Sequence, residues 1–346
     1  MSFRTNVRNL SGAATPPLRI GILGAARIAS SALIQPARAV PGVQVAAVAA
    51  RDPARAREFA ARHGIARVLP SYQALVEDPA LDAIYNPLPN GLHGTWTLRA
   101  LHAGKHVLCE KPLAANATEA ADMARAAQAN GKVLMEAFHY RYHPLMSRLL
   151  EIIRSGQLGA IRHIEAHMCT PGLRWWDIRY RYDLAGGATM DLGCYTIHLL
   201  RTLAGAEPRV TRAEVLCTGR DRLVDRAMTA DFAFADGGTG RIVCSMWSRR
   251  LLDLSAVVVG EQGELRVRNP YLPHLHHRIL LHSGNRTVKE HVGGDSTYAY
   301  QLQAFVAAAR TGAAYATTPA DAVANMRAID AVYLAAGLPL RNPTPV

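Results

Sequence analysis

The sequence predicts two units in tandem, an alternating α/β unit followed by an α+β unit rich in antiparallel strands. Three observations carry this expectation. Strand, tight turn, helix and strand follow one another within residues 18–50. The apolar run Val107-Leu108-Cys109 lacks polar alternation, as in a strand buried on both faces of a parallel sheet. From Arg209 to Arg268, consecutive strand patterns separated by turns replace the earlier alternation of strands and helices. A chain of 346 residues also fits about two domains, each able to bury a core.

Leu18 to Gly24 reads as the first strand running into a tight turn, and Arg27 to Val40 as a helix. Gly24, Ala25 and Ala26 are small enough to let backbone N–H groups approach a pyrophosphate at a helix start. With Arg27 and Ile28 they form the candidate cofactor loop. The pattern Gly21-x-x-Gly24-x-Ala26 falls short of the full glycine fingerprint, and a plain Gly-rich turn would look the same. The following strand, Val43 to Ala50, supplies the required context. Where Asp or Glu would bind ribose hydroxyls stand Ala49-Ala50-Arg51, with Arg55 one helical turn on. No anion is there to repel a 2′-phosphate, and a cation is there to hold one, which favours NADP while leaving NAD possible. Asp52 and Pro53 open the next helix.

Ser71 to Glu77 reads as a short helix and Leu81 to Asn86 as a buried strand. Asn116 to Asn130 reads as a helix closed by Gly131, and Lys132 to Ala137 as the unit's last strand. Glu110-Lys111-Pro112 follows Cys109, at the kind of strand end where ligands sit in open α/β sheets. Only four of the 39 basic residues are lysines. Lys111 is either a compact ammonium that perturbs a neighbour's pKa or an ordinary loop lysine. Phe138 to Pro144, rich in aromatic, His and Arg residues, marks the junction between units. Arg141 is its candidate contact to cofactor or substrate, and a structural linker is the other reading.

His143 to Ser155 reads as a helix with Leu145, Met146, Leu149, Leu150 and Ile153 at helical spacing. The strand Ala160 to Cys169 places His163, Glu165 and His167 on one face. Without a third convergent ligand this reads as surface, and no metal site is expected. Gly186 and Gly187 open a helix on which Asp191, Tyr195 and His198 fall at i, i+4 and i+7, on one stripe. Burying three polar side chains would cost about 1–3 kcal/mol per unpaired group, which favours a cleft-facing stripe. Strands follow at Arg209–Thr218, Arg226–Phe234, Gly240–Ser248, Ser255–Gly260 and Glu264–Arg268, with a hairpin turn at Asp236-Gly237-Gly238. Tyr300–Arg310 and Ala320–Ala336 are closing helices.

These motifs, above all Gly104-Lys105-His106-Val107-Leu108-Cys109 followed by Glu110-Lys111-Pro112, resemble the glucose–fructose oxidoreductase/inositol dehydrogenase (Gfo/Idh/MocA) family from about Leu18 to about Gly337. The resemblance implies an α/β Rossmann dinucleotide-binding domain over residues 18–142. It implies an α+β substrate-binding and oligomerisation domain with a large, mostly antiparallel open sheet over 143–346; the polar stretch at 1–17, with its scattered arginines, reads as a flexible arm ahead of both. Pro89, Asn90 and His93 match a Pro-Asn-x-x-His element that faces the cofactor in the family, together with Glu110 and Lys111. An N-cap by Asn90 with an exposed histidine is the plain alternative. A small residue followed by Arg after the second strand tends to accompany NADP in the family. A Tyr four residues after the Asp resembles the branch of glucose–fructose oxidoreductase, xylose dehydrogenases and dihydrodiol dehydrogenase.

The resemblance implies reversible hydride transfer to or from a sugar hydroxyl or carbonyl, on an aldose or keto-sugar. Tyr195 would be the acid–base and Lys111 would lower its pKa. Asp191 would hold substrate hydroxyls or orient Lys111. Arg179, Trp175 and Trp176 would wall the substrate. The alternatives are a dihydrodiol dehydrogenase-type enzyme acting on a less polar cyclic diol or ketone, and a non-catalytic NADP-binding regulator, against which Lys111 and Tyr195 both argue. The net charge of +12 invites a nucleic-acid reading, but the arginines are dispersed and no nucleic-acid partner is expected. No run of about 18 apolar residues predicts a membrane span. Five cysteines without a CxxC and a polar first stretch fit a cytoplasmic protein. The open face of the second sheet is expected to pair copies into a homodimer or homotetramer.

Overall fold

The structure is a computed structural model that describes residues 16–172, 177–248 and 252–346. The first unit is a six-stranded parallel sheet built from β1 (Leu18–Leu23), β2 (Val43–Ala49), β3 (Arg67–Val68), β4 (Ala83–Asn86), β5 (His106–Cys109) and β6 (Leu134–Glu136), in the order β3-β2-β1-β4-β5-β6. All its pairings are parallel. The chain builds outward from β1 in one direction and then, from β4, in the other. The switch point between β1 and β4 leaves a crevice at their carboxyl ends. β4 is buried along its length and Val107, Leu108 and Cys109 are fully buried, which explains why these strands show apolar runs in place of alternation.

Helices cover this sheet where the capping residues predict them. Asp52 accepts from the N–H groups of Ala54 and Arg55 to open α2 (Pro53–His63), after the short α1 (Gln35–Ala39). Ser71 caps α3 (Tyr72–Glu77), and Asn116 caps α5 (Ala117–Ala129), which follows α4 (His93–His102). One expectation is refined. The helix read as Arg27 to Val40 starts at Ile28 and, from Ser30, widens into a π-turn (Ser30–Ile34) that leads into α1. Its first turn is tight, Ala29 N–H donating to the Ala26 carbonyl and Ser30 N–H to that of Arg27. Arg27 and Ile28 are thereby left exposed at the crevice mouth.

The second sheet has eight strands: β7 (Ile161–Cys169), β8 (Arg209–Cys217), β9 (Asp225–Ala233), β10 (Thr239–Ser245), β11 (Asp253–Gly260), β12 (Gly263–Arg268), β13 (Arg278–Ser283) and β14 (Arg286–Glu290). Their order is β14-β13-β12-β11-β7-β10-β9-β8, and every pairing except β7 with β10 is antiparallel. The edge strand β14 is mostly exposed and polar with no inward-facing alternation, so no strand pattern marks it in the sequence. α7 (Cys194–Ala204) packs on β7 and β10, and α9 (Pro319–Ala335) on β8 and α5. α6 (Pro144–Arg154) leads into β7.

The two units are not separate in space. Leu302 and Phe305 of α8 (Thr297–Thr311) sit in the core of the first sheet with Ile20, Leu33 and Tyr85, although their sequence position falls with the second unit. A second core runs from Val107 and Leu113 through Phe138 to Met190 and Ile329. Shared packing of this kind holds the carboxyl ends of β1, β4 and β5 against the helix start at Thr189. Among the described residues no helix is long and apolar enough to cross a membrane.

Candidate active site

A cleft of about 790 Å³ opens between the carboxyl ends of the first sheet and the start of the helix that carries Tyr195. Its first wall is the loop after β1. Gly24 has φ +83°, a left-handed conformation that strains any residue with a Cβ, and an added Cβ would come 3.1 Å from Leu88 Cδ2. Gly24 therefore shapes the turn from below, while Ala25, Ala26, Arg27 and Ile28 line the cleft itself. Arg55 reaches the cleft and also a shallower recess of about 320 Å³ continuing from Ala25 and Arg27. Neither Arg27 nor Arg55 forms an ion pair among the described residues. A backbone turn free of side-chain bulk beside unpaired guanidinium groups fits an anionic dinucleotide. Arg51 is exposed and lies outside the cleft lining, so the arginine placed to meet a phosphate inside it is Arg55.

The second wall is the Pro89–His93 stretch. Pro89 and Asn90 line the cleft. Asn90 caps no helix; its Nδ2 donates to the carbonyl of Ala185 at 3.1 Å and so ties the first unit to the second. His93 is fully buried, its Nδ1 2.8 Å from the Pro112 carbonyl and its Nε2 2.7 Å from the Leu88 carbonyl. Burial pushes its pKa down to about 4, against the two carbonyls. His93 is therefore a neutral brace beneath the Lys111–Pro112 segment, neither exposed nor reaching out to a ligand.

At the centre, Lys111 Nζ donates to the Asp191 carbonyl at 2.8 Å and to Asp191 Oδ1 at 3.0 Å. Arg179 Nε lies 2.8 Å from Asp191 Oδ2, and Arg179 Nη1 donates to Asp177 Oδ1 at 3.0 Å. The turn that carries Asp191, Thr189–Gly193, is a π-turn ahead of α7. Such turns recur at functional sites because they re-aim side chains out of helical register. Burial alone would raise Asp191, but Lys111 and Arg179 overcome it and hold its pKa at about 2. Burial opposes the charge on Lys111, yet Asp191 prevails and raises its pKa. Glu110 is raised by burial despite accepting from Tyr85 Oη at 2.7 Å.

Tyr195 stands beside this pair. Lys111 Nζ sits 5.0 Å from the centre of its ring, and its hydroxyl is 3.3 Å from His139 Nε2. Phe138, Tyr140 and Tyr271 pack around the ring. Burial, with Tyr298 and Glu110 adding to it, pushes the phenol well above its ordinary value. This corrects the expectation that Lys111 lowers it: the ammonium is answered by Asp191, and the phenol stays protonated.

The predicted polar stripe divides. Asp191 and Tyr195 line the cleft, but His198 is buried, bonded to Tyr140 Oη at 2.5 Å and Asp321 Oδ2 at 2.9 Å. Seven residues of helix span about 10 Å, so the stripe that starts in the cleft ends in the core. Arg141 does not line the cleft; its charge is felt by Tyr140, Tyr142 and His198. Trp175 and Trp176 lie outside the described residues. The structure adds His139, Tyr271 and Tyr298 to the cleft. His139 belongs to the aromatic cluster at the junction, which marks it in the sequence. Tyr271 comes from a distant loop and Tyr298 from the first turn of α8, and neither carries such a mark.

Residues 18–138 match the model of an oxidoreductase family with an NAD-binding Rossmann fold, and residues 146–266 match the GFO/IDH/MocA C-terminal domain. The chain is 35% identical over 319 residues to a D-xylose 1-dehydrogenase (NADP(+)) of Haloferax volcanii, covering 91% of this chain and 96% of that one. It is 33% identical to a dTDP-3,4-didehydro-2,6-dideoxy-alpha-D-glucose 3-reductase of Streptomyces antibioticus, covering 93% and 98%. The crystal structure of a 3-ketoreductase from Actinomadura kijaniata, in complex with NADP and TDP-benzene, superimposes with a TM-score of 0.87 at 30% identity, covering 92% of this chain and 98% of that one. With both halves matched in order and a relative aligned along nearly its full length, the chain belongs to the Gfo/Idh/MocA family of oxidoreductases.

Proposed function

We propose that the chain is an NADP-dependent oxidoreductase that interconverts a sugar hydroxyl and its carbonyl, on an aldose or a keto-sugar. The observation that carries this reading is the meeting of Lys111, Asp191 and Tyr195 in one cleft, beside a loop suited to a dinucleotide. When bound, the dinucleotide supplies or takes up the hydride. Arg55 holds the 2′-phosphate, and the NADP named for the xylose dehydrogenase and the 3-ketoreductase supports that choice.

This chain's own residues move one proton and stabilise charge. In the reducing direction the protonated Tyr195 gives its hydroxyl proton to the substrate carbonyl oxygen. In the oxidising direction Tyr195 first gives up that proton, and its phenolate oxygen takes the proton of the alcohol. Lys111, with three N–H donors and two of them on Asp191, has one left for the oxygen that gains negative charge. Asp191 is held ionised by two cations, so it accepts from substrate hydroxyls and does not serve as the base. The rims of the cleft, with Ile178 and Leu184 beside Arg179, suit a ring with apolar faces and polar edges.

Purified protein assayed with NADP⁺ and NAD⁺ against aldoses, keto-sugars and cyclic diols tests the reading through the absorbance of reduced nicotinamide. Turnover of sugars with preference for NADP⁺ is expected. Turnover confined to apolar cyclic diols would replace the sugar reading with a dihydrodiol one.

A further inference from the structure

We propose that His139, Thr297 and His274 form a proton wire from Tyr195 to the half-buried edge of the protein, so that the phenol exchanges its proton with solvent while the cleft is filled. This rests on Tyr195 being the acid–base. The observation is a continuous chain of polar atoms. Tyr195 Oη lies 3.3 Å from His139 Nε2, His139 Nδ1 lies 2.8 Å from Thr297 Oγ1, and Thr297 Oγ1 lies 3.0 Å from His274 Nδ1. The inner members meet no bulk solvent except through the cleft: Tyr195 is 7% exposed, His139 3% and Thr297 fully buried. His274 is half-buried, the only member of the chain with access outward. Tyr298, whose ring packs on both His139 and His274, closes the wire's flank.

The need for such a path follows from the cleft. A carbonyl reduced by Tyr195 leaves a phenolate that must regain a proton, and an alcohol oxidised there leaves a protonated phenol that must lose one. Substrate and dinucleotide bound in the cleft that Tyr195 lines would stand between the ring and bulk water. The wire has two polarities, each satisfying every atom. In one, Tyr195 donates to His139 Nε2, His139 Nδ1–H to Thr297, and the Thr297 hydroxyl to His274 Nδ1. In the other, all three bonds reverse, and His139 Nε2–H donates to the phenolate. After an oxidation, the Tyr195 proton passes to His139 Nε2, the His139 Nδ1 proton to Thr297 and the Thr297 proton to His274 Nδ1. His274 then releases its Nε2 proton to water. One proton leaves, none accumulates, and His139 holds a single proton before and after. Burial, with the charges of His274 and Lys111, presses the His139 pKa down to about 3, which suits a ring that passes protons without storing charge. These residues are positioning residues for the proton, acting through Tyr195.

Thr297→Val keeps the shape and removes the link. It is expected to lower kcat at least about tenfold and to raise the solvent deuterium isotope effect on kcat, with KM for both substrates within about twofold. Thr297→Ser is expected to restore turnover. His274→Ala at the accessible end is expected to slow turnover and to recover with added imidazole, a readout that survives if the buried variant fails to fold. Wild-type turnover in Thr297→Val and His274→Ala, beside an inactive Tyr195→Phe, would overturn the wire and leave the acid–base reading intact. Wild-type turnover in Tyr195→Phe would remove the acid–base reading itself. Loss in Thr297→Ser equal to that in Thr297→Val, with no response of His274→Ala to imidazole, would reduce the three residues to a structural role.

Discussion

Two carboxylates within reach of the same helix start are held in opposite ways. Asp191 faces the cleft, with Lys111 on one oxygen and Arg179 on the other, and both cations are partly open to solvent. Asp225 is fully buried, with Arg341, itself fully buried, 2.9 Å from its Oδ1. Tyr333 Oη also donates to that oxygen at 3.0 Å, and Thr189 donates to Oδ2 through its N–H at 2.6 Å and its hydroxyl at 2.7 Å. An excess of cations beside water leaves charge available to a substrate. One cation completed by neutral donors leaves none, and the carboxylate becomes a rivet. Asp225 pins Thr189 and, through Arg341 Nε on the Gly186 carbonyl at 2.8 Å, the turn that presents Asp191. Gly187 at φ +140° lets the rivet close, since a Cβ there would fall 2.1 Å from Asp225 Oδ1.

The sharpest way to break this comparison is Asp225→Ala, which strands the buried guanidinium of Arg341 and the donors of Thr189 and Tyr333. A loss of about 3–5 kcal/mol in folding stability is expected, read from denaturant unfolding. A loss below about 1 kcal/mol would mean that Arg341 finds water, and the rivet would have to be given up. Asp191→Asn should act the other way round. Solvent at the cleft partly compensates the two cations, so stability should fall by about 2 kcal/mol or less, short of the loss at Asp225. kcat should fall by about a hundredfold as Lys111 loses its fixed partner and the substrate hydroxyls lose an anionic acceptor. A melting loss equal to that of Asp225→Ala would show that the two carboxylates do the same job.

The contrast also explains what was legible in advance. Lys111 and Asp191 are 80 residues apart in sequence. They were found because a strand end in an α/β sheet and a Gly-Gly helix start each announce themselves locally. Asp225 and Arg341 are 116 apart, and neither has a local mark: one opens a strand and the other lies in a Pro-rich tail. The same limit hid Thr297 and His274, whose role exists only once α8 has packed against the junction segment. His198 was misjudged for a different reason, because angular position around a helix says nothing about depth along it. The helix expected from Arg27 starts at Ile28, but a pattern of residue types does not reveal its π-widening over Ser30–Ile34.

Glu136 supplies a third carboxylate and a finer test. It is 1% exposed; the Leu113 N–H meets one oxygen at 2.8 Å, and the other has no hydrogen-bond partner among the described residues. With no cation in direct contact, burial and then the charge of Asp321 push its pKa from 4.5 up to about 8, against the N–H of Leu113 and the more distant Arg201 and Lys111. The folded chain keeps this proton up to about pH 8, whereas the unfolded chain releases it near 4.5. Stability from this residue is therefore full below that lower value and is lost as pH rises through the upper one. Glu136→Gln cannot ionise and should flatten the decline, leaving the variant about 4 kcal/mol more stable than the wild type at pH 9 and nearly equal at pH 5. Parallel stability curves for the two proteins would show that Glu136 does not titrate in this window.

The smallest effect concerns the cations that have no carboxylate at all. Arg179 and Arg341 are each bound to an acid of this chain, which leaves Arg27 and Arg55 as the guanidinium groups at the cleft able to meet an anion from outside. Arg51 stands at the strand end where a dinucleotide fold makes its ribose contact, yet it is exposed and outside the lining. The two arginines therefore make opposite forecasts. If the cleft geometry decides, Arg55→Ala should weaken NADP about tenfold, near 1.4 kcal/mol, and NAD hardly at all, while Arg51→Ala should change both little. Titration of each variant with both cofactors separates the cases. A larger loss of NADP in Arg51→Ala than in Arg55→Ala would mean that the exposed side chain folds over the bound phosphate, and that strand position is the better guide to the contact.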